Sequence, residues 1–338
     1  MSHSIELRKP YLIFVGDEDS APYAKTAYGV RDWAPEACLA QTQLPGCAVD
    51  LALPHMSPEQ AAEAGARSLL IGVAPRGGRI PATWEPLLHR AVQAGLDIVS
   101  GMHTTLDEIP GLSEAARKRG VTLVDVRHPR QTFPVGTGRK RTGKRLATVG
   151  TDCVLGKKYT ALAIAKAMRA RGIDADFRAT GQTGIMICGS GIAIDAVVSD
   201  FISGAAETLS PDAAPEHWDV IEGQGSLFHP SYAGVTLGLL HGSQPDVLIL
   251  CHDPTRQHLK GLADFPIVPL PFAAKRYLEE ARLTNANVRL AGVSLNTSQL
   301  DDAERARLFA ETESVLQLPC FDPMKSRLDA LVDRILTP

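Results

Sequence analysis

The sequence lacks the patterns that mark several large classes of protein. Its six cysteines are scattered without a CxxC or CxxxC pair, which favours neither a zinc site nor a disulfide framework. The apolar runs at 69–73 and 247–251 are strand-sized, well short of the ~20 residues that a membrane helix needs. Residues 1–10 lack the apolar core of a signal peptide. We therefore expect a cytoplasmic protein that does not span a membrane and binds no structural metal.

A strong charge of either sign is also missing. Lys and Arg number 35 against 38 Asp and Glu, so the formal net charge is −3. This near balance lacks the electrostatic footprint of a general nucleic-acid binder and favours a small-molecule partner. The chain has 338 residues, of which 44% are apolar and 22% charged, as in ordinary globular proteins. At roughly 150 residues per domain, this length predicts two domains.

The first half alternates apolar strands with helices that end at glycine. This alternation predicts a Rossmann-like α/β domain over residues 1–140, built on a parallel sheet covered on both faces. No GxGxxG opens a helix, so dinucleotide binding is not predicted. The predicted strands are 11–15, 68–73, 96–99 and 121–126, and the predicted helices are 58–65, 84–95 and 113–120.

The second half repeats the alternation and predicts an α/β domain with a mainly parallel sheet over residues 145–338. Its predicted strands are 146–149, 175–179, 219–221, 246–251 and 288–295. Its predicted helices are 157–170, 192–206, 273–283, 301–316 and 324–336.

Between the halves, residues 136–145 combine glycines with five basic side chains and mark the predicted domain boundary. A solvated linker is the favoured interpretation, because charge runs are usually that. The alternative is a positive rim for a phosphorylated ligand, because a glycine-bounded loop begins five residues later.

That loop carries most of the functional information. It lies between a predicted strand and an amphipathic helix, where backbone N–H groups and the helix N-terminus favour an anion. A standard phosphate loop is GxxxxGK[ST], with the final hydroxyl on magnesium. Here five residues separate the glycines and a lysine replaces the hydroxyl, and a plain glycine turn remains the alternative. The predicted cofactor-binding residues are Gly150, Thr151, Asp152, Cys153, Val154, Leu155, Gly156, Lys157 and Lys158.

Two later features support a site at the carboxyl ends of the strands, where open α/β sheets bind their ligands. Glu222 follows a predicted strand and begins the glycine-rich turn EGQGS. Asn296 ends another strand, and its amide could bind an adenine edge. The structural alternatives are that Glu222 caps a helix and that Asn296 forms a turn.

These motifs resemble a known family. GTDCVLGK, EGQG and a strand ending in Leu-Asn resemble the dethiobiotin synthetase and cobyrinate-synthesis branch of the P-loop fold. More closely, the chain resembles the DgcN family, whose described activity is D-glutamate N-acetylation with acetyl-CoA. The stretches that carry this resemblance are 149–157, 179–187, 222–231 and 234–241, with 25–29 and 72–78 in the first half.

The resemblance implies acetyl-CoA as co-substrate, and a pyrophosphate cradle needs backbone amides and a lysine but no catalytic metal. Acetyl transfer to an amine also needs a base, donors for an oxyanion and cations for the substrate carboxylates. The base candidates are Glu222, His229 and Asp195. The candidate substrate-binding residues are Lys25, Arg178, Gln182, Thr183, Gln224, Ser226 and Arg256.

Two alternatives remain open at this point. The wider fold branch implies an ATP- and magnesium-dependent ligase or kinase acting on a carboxylate. A nucleotide-binding sensor without turnover is the other. Two α/β domains with many loops also lead us to expect a homo-oligomer, with a dimer as the first guess.

Overall fold

A computed structural model describes residues 5–75, 78–128 and 132–337. The chain divides into two compact units. The first consists of Met1–Arg130 with Gly181–Ala196, and the second of Gln131–Thr180 with Val197–Pro338. The predicted domain limits of 1–140 and 145–338 stay a prediction. Residues 181–196 belong to the first unit, an association that sequence reasoning did not anticipate.

Strands and helices alternate along most of the described chain. The strands are β1 (Ile5–Glu6), β2 (Tyr11–Phe14), β3 (Cys38–Thr42), β4 (Ser68–Ile71), β5 (Asp97–Ser100), β6 (Leu123–Asp125), β7 (Lys144–Gly150), β8 (Ala175–Arg178), β9 (Ser190–Gly191), β10 (Trp218–Ile221), β11 (Val247–His252), β12 (His258–Leu259), β13 (Leu262–Pro266), β14 (Arg289–Leu295) and β15 (Cys320–Phe321). The α-helices are α1 (Lys25–Trp33), α2 (Pro58–Glu63), α3 (Glu85–Ala94), α4 (Leu112–Arg119), α5 (Lys157–Ala170), α6 (Gln182–Cys188), α7 (Ile202–Leu209), α8 (Ala233–Ser243), α9 (Leu270–Arg282), α10 (Asp302–Leu316) and α11 (Asp329–Leu336).

The first unit is built on a parallel sheet in the order β3-β2-β4-β5-β6. Every residue of β2, β4 and β5 is buried, which explains their continuous apolar runs. The predicted Rossmann-like architecture is confirmed in this unit. Helix α1 and strand β3 were not predicted, and Arg76 and Gly77 of the 72–78 stretch lie outside the described residues.

The second unit is built on a parallel sheet in the order β15-β14-β11-β7-β10-β8. Strand β7 lies inside this sheet, between β10 and β11, and leads directly into the glycine-bounded loop. The carboxyl ends of β7, β10, β11 and β14 therefore meet at one edge of the sheet. The predicted α/β fold with a mainly parallel sheet is confirmed.

The predicted helix over 192–206 is wrong. Short 3-10 turns occupy Ile194–Ala196 and Ser199–Phe201, and α7 begins only at Ile202. The chain leaves the first unit after Ala196, so its apolar residues on either side of that point belong to different cores.

The basic linker is not a rim of the phosphate loop. Lys140 Nζ donates to Asp246 Oδ1 at 2.7 Å, just before β11 begins, and Arg141 is buried against the carbonyls of Ser210 and Gly242. These contacts lie at the amino-terminal edge of the sheet, whereas the glycine-bounded loop follows the carboxyl end of β7. The structure also contradicts a purely solvated linker, because Arg141 and Arg145 are buried.

The helices found within residues 5–75, 78–128 and 132–337 include none with the length and apolar composition of a membrane span.

Candidate active site

The loop between β7 and α5 has the form of an anion cradle. Gly156 immediately precedes α5 at φ +104°, a left-handed conformation that favours glycine. In the described part of the chain, the backbone N–H groups of Leu155 and Gly156 have no hydrogen-bond partner. The loop therefore presents the free N–H groups of Leu155 and Gly156 next to the positive N-terminal end of α5.

Buried Asp152 holds this loop in place. Its Oδ1 accepts the Cys153 N–H at 2.7 Å. Its Oδ2 accepts Arg256 Nη1 at 2.6 Å and the Lys260 N–H at 2.8 Å. Arg256 also donates to the carbonyls of Cys153 and Val154. Asp152 and Arg256 thus shape the cradle, and the predicted role of Arg256 in substrate binding stays a prediction.

Lys157 lies beneath the same loop. Its Nζ donates to the Asp152 carbonyl at 2.8 Å, and burial lowers the pKa of its ammonium group. An anion bound to the free N–H groups would stabilise the charged form of this lysine. Lys157 is therefore poised to exchange a backbone oxygen for a ligand oxygen.

The turn after β10 packs directly on the loop. Gly223 N donates to Thr148 Oγ1 at 2.9 Å, and that hydroxyl donates to the Lys157 carbonyl at 3.2 Å. A Cβ on Gly223 would lie 1.7 Å from the Thr148 carbonyl oxygen and 3.0 Å from Lys157 Cδ. Only glycine fits at this point, which explains its place in the EGQG motif.

The hydroxyl that usually binds magnesium is missing from this loop. Lys158 stands at that position, with Nζ 4.6 Å from the centroid of the Tyr159 ring. The next serine or threonine hydroxyl along the chain, on Thr160, is buried and lies 3.1 Å from the Gly156 carbonyl and 2.7 Å from Ser294 Oγ. The loop therefore lacks the hydroxyl that a standard phosphate loop offers to magnesium.

Glu222 is buried at the carboxyl end of β10. Its Oε2 accepts the Thr180 N–H at 3.0 Å, and its carbonyl accepts the Thr180 hydroxyl at 2.7 Å. It shares the sheet edge with the phosphate loop and immediately precedes Gly223. Its predicted role as a base stays a prediction.

His229 is buried in a defined tautomer. Its Nδ1 accepts the Ser231 N–H at 3.2 Å, so the proton lies on Nε2, which faces the Lys260 carbonyl at 3.2 Å. Its ligand atom lies within 4.8 Å of those of Asp152 and Cys153, a grouping that could hold a metal by spacing alone. Because both imidazole nitrogens and the Asp152 carboxylate already have partners, this arrangement favours a structural cluster over a metal site.

Two side chains of the site were missed from the sequence. His252 ends β11 with Nδ1 2.9 Å from Thr151 Oγ1, and burial lowers its pKa to about 4. Tyr277 of α9 donates to the Gly150 carbonyl at 2.7 Å and accepts the Leu227 N–H at 3.2 Å. Neither residue belongs to a glycine-rich motif, so no local sequence pattern indicates their contact with the loop.

Other predicted residues of the second unit have structural partners. Ser226 is buried and donates to the Gly150 carbonyl at 2.9 Å, and the Gln224 carbonyl accepts the Thr236 hydroxyl. Asn296 Oδ1 accepts the Ser298 N–H. Arg178 Nε donates to Asp219 Oδ1 at 2.5 Å. Their predicted ligand-binding roles stay predictions.

The remaining predicted residues belong to the first unit. Arg127, which was not predicted, donates to Gln182 Oε1 at 2.7 Å and to Asp195 Oδ2 at 3.1 Å. Thr183 Oγ1 lies 3.1 Å from Thr26 Oγ1. Lys25, which precedes Thr26, is exposed and begins α1. Asp195 therefore belongs to a different unit from Glu222 and His229, and its role as a base stays a prediction.

Comparison with known protein families identifies the family of this chain. Residues 134–332 match the P-loop domain of a family of unknown function, DUF1611, and residues 42–129 match the Rossmann-like domain of the same family. The chain belongs to the DUF1611 family. Both predicted domain types are thereby confirmed.

Individual relatives extend over nearly the whole chain. D-glutamate N-acetyltransferases of Tritonibacter scottomollicae and a Pseudoalteromonas species are 47% and 44% identical to it. Each match covers 97% of this chain and 99% of the relative. The crystal structure of a DUF1611 protein from Anabaena variabilis is 33% identical, with a TM-score of 0.84 over 97% of this chain and 99% of that one. The predicted resemblance to the N-acetyltransferase family is confirmed.

Proposed function

We propose that this protein transfers the acetyl group of acetyl-CoA to the amino group of D-glutamate. The observation that carries the proposal is the phosphate loop, which combines free N–H groups and a buried lysine with a lysine at the magnesium position. Such a loop suits the pyrophosphate of coenzyme A, which needs an anion cradle but no catalytic metal. The two relatives named D-glutamate N-acetyltransferase support the same reaction.

The chemistry requires a free amine. A base removes a proton from the ammonium group, the nitrogen attacks the thioester carbonyl, and the tetrahedral intermediate expels the thiolate of coenzyme A. We propose Glu222 as this base, because it lies at the sheet edge of the phosphate loop and precedes Gly223, whose N–H donates to Thr148 on the strand that leads into the loop. His229 is the weaker candidate, because both of its nitrogens are already hydrogen-bonded.

We place the protein in the cytoplasm, where acetyl-CoA is available, and propose a homodimer as its assembly. Acetyl-CoA and the acidic amino acid are its small-molecule partners.

A thiol-release assay tests the proposal. The protein is incubated with acetyl-CoA and either D- or L-glutamate, and free thiol is measured over time. We expect thiol release that depends on D-glutamate and persists in EDTA. Absence of thiol release with every acidic amino acid would overturn the proposal, as would magnesium-dependent ADP formation from ATP with loss in Lys157→Ala.

Glu222→Gln separates the two roles of the carboxylate. The amide keeps an oxygen that can accept the Thr180 N–H but cannot take a proton from the substrate. We expect the KM for acetyl-CoA to be retained and kcat to fall by about 100-fold or more. A variant with the full turnover rate would show that Glu222 is not the base.

A further inference from the structure

A cavity of about 520 Å³ lies next to the phosphate loop. Two of its lining side chains also bind that loop: His252 contacts Thr151, and Arg256 contacts Asp152. Ligand sites for small molecules commonly have volumes of roughly 300–1,000 Å³. The cavity and the proposed anion cradle therefore share a wall and can serve one ligand.

Another part of the cavity wall is one face of α10. Glu311 and Val315, and likewise Thr312 and Leu316, are four residues apart and so lie on the same side of the helix. Val315 leaves 66% of its side chain exposed, which is apolar surface that a ligand in the cavity would bury. Residues 267–271, which include the first two residues of α9, add further aliphatic side chains. The walls are thus mostly aliphatic, with a few hydrogen-bonding groups.

The charges around the cavity do not favour an anion. Among the residues that line the cavity, Arg256 carries a positive charge. The guanidinium of Arg256 already binds Asp152 and two carbonyls of the phosphate loop. Glu311 adds a carboxylate, and burial keeps His252 neutral near pH 7 by lowering its pKa to about 4. A phosphate or a dicarboxylate would meet no uncompensated positive charge among these residues. An uncharged ligand segment with aliphatic and amide groups fits better.

We propose that this cavity holds the pantetheine arm of acetyl-CoA while the phosphate loop holds its pyrophosphate. This inference rests on the proposed function. The pantetheine arm is uncharged and carries a geminal dimethyl group and two amides, for which Gln257 and Thr312 offer hydrogen-bonding partners. The adenosine end of the same molecule carries a negatively charged 3′-phosphate, and the residues that line the cavity offer no unpaired positive charge to it.

A matched pair of variants tests the site. Val315→Glu places a carboxylate where the aliphatic arm would pack, whereas Val198→Glu changes a side chain of equal exposure, 67%, that does not line the cavity. We expect Val315→Glu to weaken coenzyme A binding, measured by calorimetry, by about tenfold or more and Val198→Glu to leave it unchanged. Val315→Trp, which fills space without adding charge, should also weaken binding. It replaces Val315→Glu if thermal unfolding shows that the glutamate variant does not fold.

A fragment of coenzyme A identifies which end occupies the cavity. Adenosine 3′-phosphate 5′-diphosphate retains the pyrophosphate but lacks pantetheine, so its affinity should be equal in wild type and Val315→Glu. A parallel loss of affinity for this fragment would overturn the proposal and assign the cavity to adenosine. Equal coenzyme A affinity in both glutamate variants would also overturn it.

Because calorimetry measures binding without turnover, the two proposals fail separately. Coenzyme A binding that depends on Val315, without acetyl transfer, would retain the cavity site and reject the proposed reaction. Acetyl transfer that is insensitive to substitution of Val315 would retain the proposed reaction and reject the cavity site. No binding of coenzyme A to the wild-type protein would overturn both.

Discussion

The carboxylate of Asp152 binds the guanidinium of Arg256, with Oδ2 2.6 Å from Nη1. The same guanidinium donates to the carbonyls of Cys153 and Val154, so a single arginine supports the turn that carries the free N–H groups. The phosphate loop is therefore shaped before any ligand binds. Such preorganisation reduces the cost of ordering the loop on binding.

Replacing Arg256 with Gln should destabilise the protein. Asp152 is fully buried, and the variant leaves its carboxylate without a cationic partner, at a cost of about 3 kcal/mol in the free energy of unfolding. Urea denaturation followed by circular dichroism measures this change. Arg139→Gln breaks the exposed ion pair with Asp212 and should change stability little, since such pairs are screened by solvent. Equal effects of the two substitutions would contradict a structural role for Arg256.

Gly223→Ala should disrupt the phosphate loop. Its new Cβ would lie 1.7 Å from the Thr148 carbonyl oxygen, so the turn must move away from Lys157. We expect a loss of at least about 2 kcal/mol in stability and about tenfold weaker coenzyme A binding. Gly234→Ala, with no atom within 4 Å of the new Cβ, is the control and should be neutral or slightly stabilising. Tight coenzyme A binding by folded Gly223→Ala would refute the close packing.

Acidification should destabilise the fold through His252. Burial lowers its pKa to about 4, against about 6.5 in an unfolded chain; the charge of Asp253 opposes this shift and that of Arg256 adds to it, both to a smaller extent. Between these values the unfolded chain binds a proton that the folded chain does not, so stability is full above pH 6.5 and falls toward pH 4. By pH 5 the loss from this residue should be about 2 kcal/mol. His252→Gln should flatten the pH dependence between pH 7.5 and 5, and identical slopes would count against the buried imidazole.

Cys153→Ser should retain acetyl transfer. Burial raises the pKa of the Cys153 thiol, which keeps it protonated and a poor nucleophile near pH 7. We expect kcat within about threefold of wild type and little inactivation by iodoacetamide at pH 7. Acetylated Cys153 in a quenched reaction, detected by mass spectrometry, would instead establish a covalent route.

Lys140→Ala should leave the KM for acetyl-CoA unchanged. Lys140 binds Asp246 at the amino-terminal edge of the sheet, and the phosphate loop follows the opposite end of β7. Lys157→Met is the positive control, because it removes the ammonium group beneath the loop and should raise that KM by at least about tenfold. A rise of similar size in Lys140→Ala would restore the linker as part of the anion site.

The sequence predicted the elements whose local pattern agrees with their environment. The bounds predicted for α5 agree with the structure, because an amphipathic pattern follows a glycine-bounded loop. Helix α8 was missed because three glycines lower its helix propensity. The structure explains two of them: a Cβ on Gly238 would lie 2.6 Å from Ile202 Cγ2, and one on Gly242 would lie 2.3 Å from the Ser203 carbonyl. Close packing against α7 overrides propensity there.

The loop of the candidate site was predicted from the sequence, whereas the side chains that pack on it from elsewhere in the chain were not. The spacing of Gly150, Gly156 and Lys157 identified the loop because backbone geometry constrains those residue types. His252 of β11 and Tyr277 of α9 are distant from the loop in sequence, and only tertiary packing brings them into contact with it. The ion pair of Arg256 with Asp152 is equally non-local, because the partners are 104 positions apart in the sequence.

The most direct test follows a labelled acetyl group to its product. Protein, acetyl-CoA carrying a ¹³C-acetyl group, D-glutamate and EDTA are incubated without ATP, and the products are identified by mass spectrometry. The account predicts labelled N-acetyl-D-glutamate and free coenzyme A in equal amounts, with both strongly reduced in Lys157→Met. Unlabelled D-glutamate alone after prolonged incubation, with acetyl-CoA intact, would contradict it.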